Sequence, residues 1–338
     1  MKNKLFIITN ESIYFDKEKN FFCDNIDIKS ISEELNKYSE VRLLGRKSKK
    51  QRSKKINIEN INIFNNIFAY LYFIFKSLKE SDVKYLIISL SPYTFLANIL
   101  LKIFSKKHFI YLRSDGHEEY KAILGIIGKV VYGIMFKISV IKSELIACRE
   151  HLLRSNKGKI VNPSQLNNKW FNNTKNIDPY NIRLLYVGRL RVEKGIYSLM
   201  DMLEGSNFFL TIVTSEVNLK LKEKNKNIKL VNFENYDDAI IKFYDENSIL
   251  ILPSYTEAHP QVLDESLARL RPVIVFKEIE HVKRNREGVF VSERNLKSLE
   301  KTINYINHNY ENITDKIKTN KLPTKKNFII QLIKIILN

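Results

Sequence analysis

The stretch SYTEAHPQVLDESLARLRPVIVF, residues 254–276, sets two glutamates, Glu257 and Glu265, on either side of a proline. Pro260 suits a first helical position, where the N–H it lacks would be unpaired anyway. One carboxylate then stands just before a helix and the other inside it. Asp264 lies about 100° around the helix from Glu265, so only one of that pair points inward. Carboxylates so placed can do acid/base work, or accept hydrogen bonds from paired donors, because each offers two accepting oxygens. A second group precedes them in VGRLRVEKG, residues 187–195. Gly188 permits a tight turn, Arg189 and Lys194 supply cations, and Gly195 opens a helical pattern whose first amides would face the same point. That corner suits a diphosphate; taken alone it is equally a basic loop with solvated charges.

Two further groups carry charge. In YLRSDGHEEY (111–120), Arg113, Asp115, His117 and Glu118 gather at a strand end, where they could bind or deprotonate an acceptor, or where Asp-Gly simply makes a bend. The run RKSKKQRSKK (46–55), expected between a strand and a helix, has seven cations in ten residues, and the aromatic stretch INIFNNIFAYLYFIFKSL (61–78) follows it. It reads as a solvated loop or as a patch attracted to an anionic membrane surface.

In order and spacing the chain resembles the family-4 retaining glycosyltransferases of the GT-B fold. The carrying residues are VGRLRVEKG, the E-x7-E pair Glu257 and Glu265 with LPS before it and RPVIVF after it, and EGVFV at 287–291. The resemblance covers about 183–292, and the first half matches only in strand order. It implies that Arg189 and Lys194 hold the diphosphate of a nucleotide-sugar and stabilise the charge of the breaking bond. It implies too that Glu257 accepts hydroxyls of the donated sugar and Glu265 those of the ribose, with Gly188, Ala258 and His259 beside the donor. Asp115 and His117 would serve the acceptor side. A nucleotide-diphosphate-sugar is then a co-substrate, with no cofactor and no metal. The anomeric configuration is retained by same-face attack, so the glutamates bind and are not a glycosidase-like acid/base pair. The chain departs from the family at Arg271, where a glycine is usual, at Ala258 and His259, where Gly and an aromatic are common, and after the first strand, where NESIYF replaces a glycine-rich loop.

Short apolar runs alternating with helical patterns must position these residues, and that alternation predicts parallel sheets with helices on their faces. Strands are expected at 4–9, 41–45, 85–90, 108–113 and 144–148, separated by helices at 60–79, 93–104 and 123–137. A polar, Asn-rich connection follows at 162–181. The alternation restarts with strands at 183–188, 208–213, 228–233, 248–253, 272–276 and 288–291, and helices at 196–204, 236–246, 260–270 and 296–308. The expected fold is α/β, two Rossmann-like domains with sheets facing across a cleft. The resemblance assigns residues 1–165 to the acceptor and 180–322 to the nucleotide-sugar, and implies a helix in 323–338 packing back on the first domain.

The whole chain bounds these readings. Its 338 residues suffice for two domains, and 44% apolar with 28% charged residues is a folded composition. A net charge of +19 favours polyanionic partners, although a Lys-, Asn- and Ile-rich composition of the kind AT-rich genomes encode produces such an excess too. Cys23 and Cys148 match no metal or redox spacing and fit a reducing, cytoplasmic setting. MKNKLFIITN reads as a first strand, not a signal peptide. ILGIIGKVVYGIMFKISVI (123–141), broken by Lys129 and Lys137, is expected as a helix half-buried in a core and not as a membrane span. The expected partners are a nucleotide-sugar donor, a glycan or lipid-linked acceptor and the inner face of a membrane. A nucleic-acid-binding protein has only charge in its favour. A GT-B-shaped sugar-nucleotide epimerase is the other alternative.

Overall fold

The computed structural model describes residues 3–177, 181–215, 226–233 and 238–337. The chain divides into two compact units, Met1–Pro163 with Lys326–Asn338, and Ser164–Lys325.

The first unit holds strands β1 (Lys4–Phe15), β2 (Phe21–Cys23), β3 (Glu40–Lys47), β4 (Lys54–Ile56), β5 (Asn60–Phe64), β6 (Val83–Ile88), β7 (His108–Leu112), β8 (Glu144–Ala147) and β9 (Gly158–Ile160). Its helices are α1 (Ile26–Asn36), α2 (Ile67–Ser77), α3 (Pro92–Ile103) and α4 (Gly116–Val140). Strands β5-β3-β1-β6-β7-β8-β9 run parallel, while β2 and β4 extend the end of β1 as antiparallel strands. Leu5, Phe6, Ile7 and Ile8 are fully buried, as befits a central parallel strand covered on both faces. Helix α3 starts where the sequence provides a capping box, Ser91 with Thr94, and Pro92 behind it.

Three expectations fail here. Residues 60–64, read as the start of a helix, pair with β3, and α2 begins only at Ile67. The basic run is not a plain loop between a strand and a helix, because it closes β3 and opens β4, and Arg52 pairs with Asp24 at 2.5 Å. Nor is 123–141 a half-buried core helix: only 28% of the most apolar window of α4 is buried.

The second unit is a six-stranded sheet among the described residues, all parallel, in the order β12-β11-β10-β13-β14-β15. These strands are β10 (Arg183–Val187), β11 (Phe209–Thr214), β12 (Ile228–Asn232), β13 (Ile249–Leu252), β14 (Val273–Phe276) and β15 (Val289–Ser292). The helices are α5 (Ile196–Met202), α6 (Ile241–Glu246), α7 (Gln261–Ala268), α8 (Leu296–His308) and α9 (Tyr310–Ile317). Part of the helix expected over 236–246 lies outside the described residues. The Asn-rich stretch after 163 is no free connection. Leu166 and Trp170 are buried in the second unit's core, and the Arg269 guanidinium donates to the carbonyls of Trp170, Asn172 and Asn173 at 3.0, 2.7 and 2.8 Å. The final helix, α10 (Lys325–Ile336), returns to the first unit, burying Phe328, Ile329, Leu332 and Ile336 in its core.

Candidate active site

The carboxyl ends of β10 and β13, neighbours in the second sheet, bring two of the expected groups together. Lys194 Nζ lies 2.6 Å from Glu257 Oε1, which also accepts from the Ser254 hydroxyl at 2.8 Å. The pair is largely enclosed, with the Glu257 side chain 12% exposed. Gly195 makes the approach possible: its φ is +65°, and a Cβ there would sit 1.9 Å from the Pro253 carbonyl oxygen. Gly188 has a different reason. Its φ is not in the left-handed region, and the room for a side chain is taken by the Tyr186 hydroxyl, 2.8 Å from where a Cβ would stand. That hydroxyl donates to the Arg189 carbonyl at 2.6 Å, while the Arg189 side chain is exposed and has no ion pair among the described residues. Helix α5, which follows, has seven residues.

Arg294, which no motif singles out, completes this corner. It donates to Pro253 O at 3.0 Å and to Glu278 at 2.6 Å, and it lies over the Tyr255 and Phe276 rings at 4.2 and 4.5 Å. Its buried Nη1 has no hydrogen-bond partner and would be 3.3 Å from a Cβ at Gly195. A third cation therefore reaches the Gly195 backbone from the end of β15. Its only sequence signal is position, two residues past a strand whose carboxyl end shares this edge.

Glu265 makes a separate contact. The Tyr244 hydroxyl of α6 donates to its Oε2 at 2.6 Å. Asp264 faces elsewhere, as the helical geometry predicts. It is buried, and Arg286 donates to its Oδ1 at 2.6 Å. His259 stands between Arg284, which donates to its Nδ1 at 3.0 Å, and Asp264, whose Oδ2 lies 3.3 Å from its Nε2. The His259 side chain is thus enclosed by its own unit, and Ala258 is buried beside it. Pro260 caps α7, which starts one residue later than expected.

Arg271, where the family resemblance leaves a gap, is buried and turned inward. It donates to the carbonyls of Tyr244 and Lys175 at 2.9 and 2.7 Å. Burial pushes its pKa down, with Tyr310 and Asp245 opposing that. The role this suggests is structural, tying α6 to the stretch before β10.

In the first unit, the YLRSDGHEEY residues do not form one cluster. Arg113 turns to α1 and pairs with Asp27 at 2.6 Å. Asp115 caps α4, accepting from the amides of His117 and Glu118 at 3.0 and 3.4 Å, and takes a 2.7 Å ion pair from Arg154. His117 packs edge-on to Tyr132 and Phe136, and burial followed by the Arg154 charge lowers its pKa. Among the described residues no three His, Cys, Asp or Glu side chains are grouped to share a metal ion.

Two α/β units with parallel sheets, the second carrying cations and carboxylates at its carboxyl edge, define a protein of the GT-B class. Residues 168–322, most of the second unit, match the family model described as glycosyl transferases group 1. No curated protein matches the chain by sequence. Solved structures share the fold over its whole length. Sucrose-phosphate synthase from Thermosynechococcus elongatus is 15% identical at a TM-score of 0.71, covering 99% of this chain and 98% of its own. Anabaena HepE in complex with UDP is 11% identical at 0.70, with 98% and 99% covered. WaaG, a glycosyltransferase of lipopolysaccharide biosynthesis, is 12% identical at 0.64, with 98% and 99% covered. UDP-N-acetylglucosamine 2-epimerases share the fold at TM-scores of 0.56 and 0.55.

Proposed function

We propose that this chain is a retaining, metal-independent glycosyltransferase. It moves a sugar from a nucleotide-diphosphate-sugar to a glycan or lipid-linked acceptor in bacterial surface-polysaccharide assembly, working in the cytoplasm at the inner face of the membrane. The observation that carries the reading is the Lys194–Glu257 pair at the joined ends of β10 and β13, within the stretch that matches the group 1 family. An ammonium has three donors, so Lys194 can keep Glu257 and still meet a phosphate oxygen. Arg189, exposed on the same loop, supplies a second charge, and together they stabilise the leaving diphosphate as negative charge grows on it. Glu257 accepts from hydroxyls of the sugar and Glu265 from those of the ribose, the latter oriented by Tyr244. HepE in complex with UDP and WaaG in lipopolysaccharide assembly supply the donor and acceptor classes by likeness of fold alone.

A thermal-shift screen over nucleotide-sugars tests it. One donor should raise the melting temperature of the wild-type chain, and Arg189→Ala and Glu265→Ala should each lose most of that rise. No stabilisation by any donor, or an equal rise in all three proteins, would sink the assignment. With the donor known, an NMR spectrum of the product should show the donor's anomeric configuration, and EDTA should leave the rate unchanged. Conversion of donor without acceptor would favour an epimerase.

A further inference from the structure

Helix α4 has three faces. Tyr132, Met135, Phe136 and Ser139 are buried against the first unit. Around the helix from them, Lys129, Gly133, Lys137 and Val140 line a cavity of about 420 Å³ completed by His117, Arg154 and Asn156. At about 100° per residue the next face carries Ile127, Val130, Ile134, Ile138 and Ile141. These are 70%, 56%, 55%, 38% and 58% exposed. Gly125, at φ 67° and ψ −154°, breaks α4, so the exposed face belongs to the segment after it, although α4 counted whole is the one described helix whose length and composition would let it cross a bilayer. Its buried face and the bond from Lys102 of α3 to the Ile138 carbonyl hold it along the unit instead.

We infer that α4 docks on an anionic lipid bilayer, its isoleucine face entering the interface and the adjoining cavity receiving a lipid phosphate. Charge complementarity selects this occupant. No carboxylate lines the cavity, and three of its lining residues are cations. Lys129 and Arg154 share theirs with Glu118 and Asp115, while Lys137 is exposed and has no ion pair among the described residues. Exposed Lys142 follows the apolar face at its carboxyl end. A second copy of the chain would set these lysines against one another, and like charges juxtaposed in an interface are costly. A bilayer meets both needs, since an interfacial helix gains from buried apolar area and from attraction to anionic headgroups. The peripheral placement proposed above thus acquires a specific surface, α4, instead of the strand-bound basic run at 46–55. The donor chemistry is independent of it.

The test is co-sedimentation of the full chain with phosphatidylcholine vesicles, with and without one-third phosphatidylglycerol. The wild-type chain should bind the anionic vesicles at least tenfold more tightly than the neutral ones. Ile127→Asp with Ile134→Asp should abolish binding, and Lys137→Ala should weaken only the anionic preference, about fivefold, the effect of one cation near such a surface. Both variants should keep the wild-type circular dichroism melt and donor-induced thermal shift, which separates this inference from the donor assignment. Wild-type binding by the double variant or equal binding to both vesicles would overturn the inference. So would a concentration-dependent dimer that the aspartates abolish, which would mark the face as a contact between copies.

Discussion

Arg269 and Arg271 sit two residues apart in LARLRPV, and nothing in the sequence says that both are interior. Arginine is expected at the surface, and only the structure shows enough acceptors gathered to hold two of them. Arg269 forms a two-pronged pair with Asp245, both contacts 2.9 Å, in addition to its carbonyl contacts. Arg269→Ala would leave Asp245 buried without that partner, and should cost about 3–5 kcal/mol, read as a fall in the urea midpoint. Arg269→Lys keeps the charge but not the planar fork, so it should recover only part of the loss. Tyr244 offers a gentler probe. Tyr244→Phe removes the hydroxyl that donates to Glu265, so stability should fall by about 1.5–3 kcal/mol, as for a hydrogen bond to a charged group. Under the proposed function the Glu265 carboxylate is also less well oriented. Donor titration should then show weaker affinity, while Lys194→Met should lower both affinity and turnover.

At the scale of elements, the six described strands of the second sheet were legible as short apolar runs; β10, β13 and β14 are buried nearly throughout, as inner parallel strands are, while β12 at the edge is not. The first unit was harder to read. NINIF alternates like a strand, but it runs into a helical aromatic stretch, and periodicity alone could not place the break between β5 and α2. FFC and KKI, three residues each, are too short to announce β2 and β4. For α4 the apolar pattern was visible, but whether anything covers it was not, since buried and membrane-seeking helices share composition. The start of α4 carries a pH signal. His117 has a folded pKa below its ordinary 6.5, so the unfolded chain takes up the proton first as pH falls. Its contribution to stability is complete above about pH 6.5 and is lost as pH drops through the folded value. The denaturation midpoint should therefore fall between about pH 7 and pH 5 more steeply for the wild type than for His117→Gln. Equal slopes would place the titrating group elsewhere.

For the whole molecule, the order of the chain and the order of the units differ. The first unit is closed by residues from the far end of the sequence. NFIIQLIKIILN showed a helical apolar pattern, but its partner came only from the family resemblance, because periodicity does not name the surface a helix meets. In the structure Phe328 lies against Tyr111, 6.2 Å between ring centroids, and Leu332 and Ile336 are fully buried in the same cluster. Lys84 adds a bond to the Leu337 carbonyl at 2.9 Å. Core Leu→Ala changes cost about 2–5 kcal/mol through lost transfer energy and the cavity left behind. Leu332→Ala should therefore loosen the first unit although it lies beyond the second in sequence. Hydrogen exchange followed by mass spectrometry would locate the effect. Peptides from β1, β6 and β7 should exchange faster by a factor of about thirty or more, which is what 2 kcal/mol of lost protection gives, and peptides from β10 and β13 should be unchanged. Faster exchange in both sets would mean that the two units unfold as one cooperative body. Faster exchange confined to β10 and β13 would contradict the placement of α10.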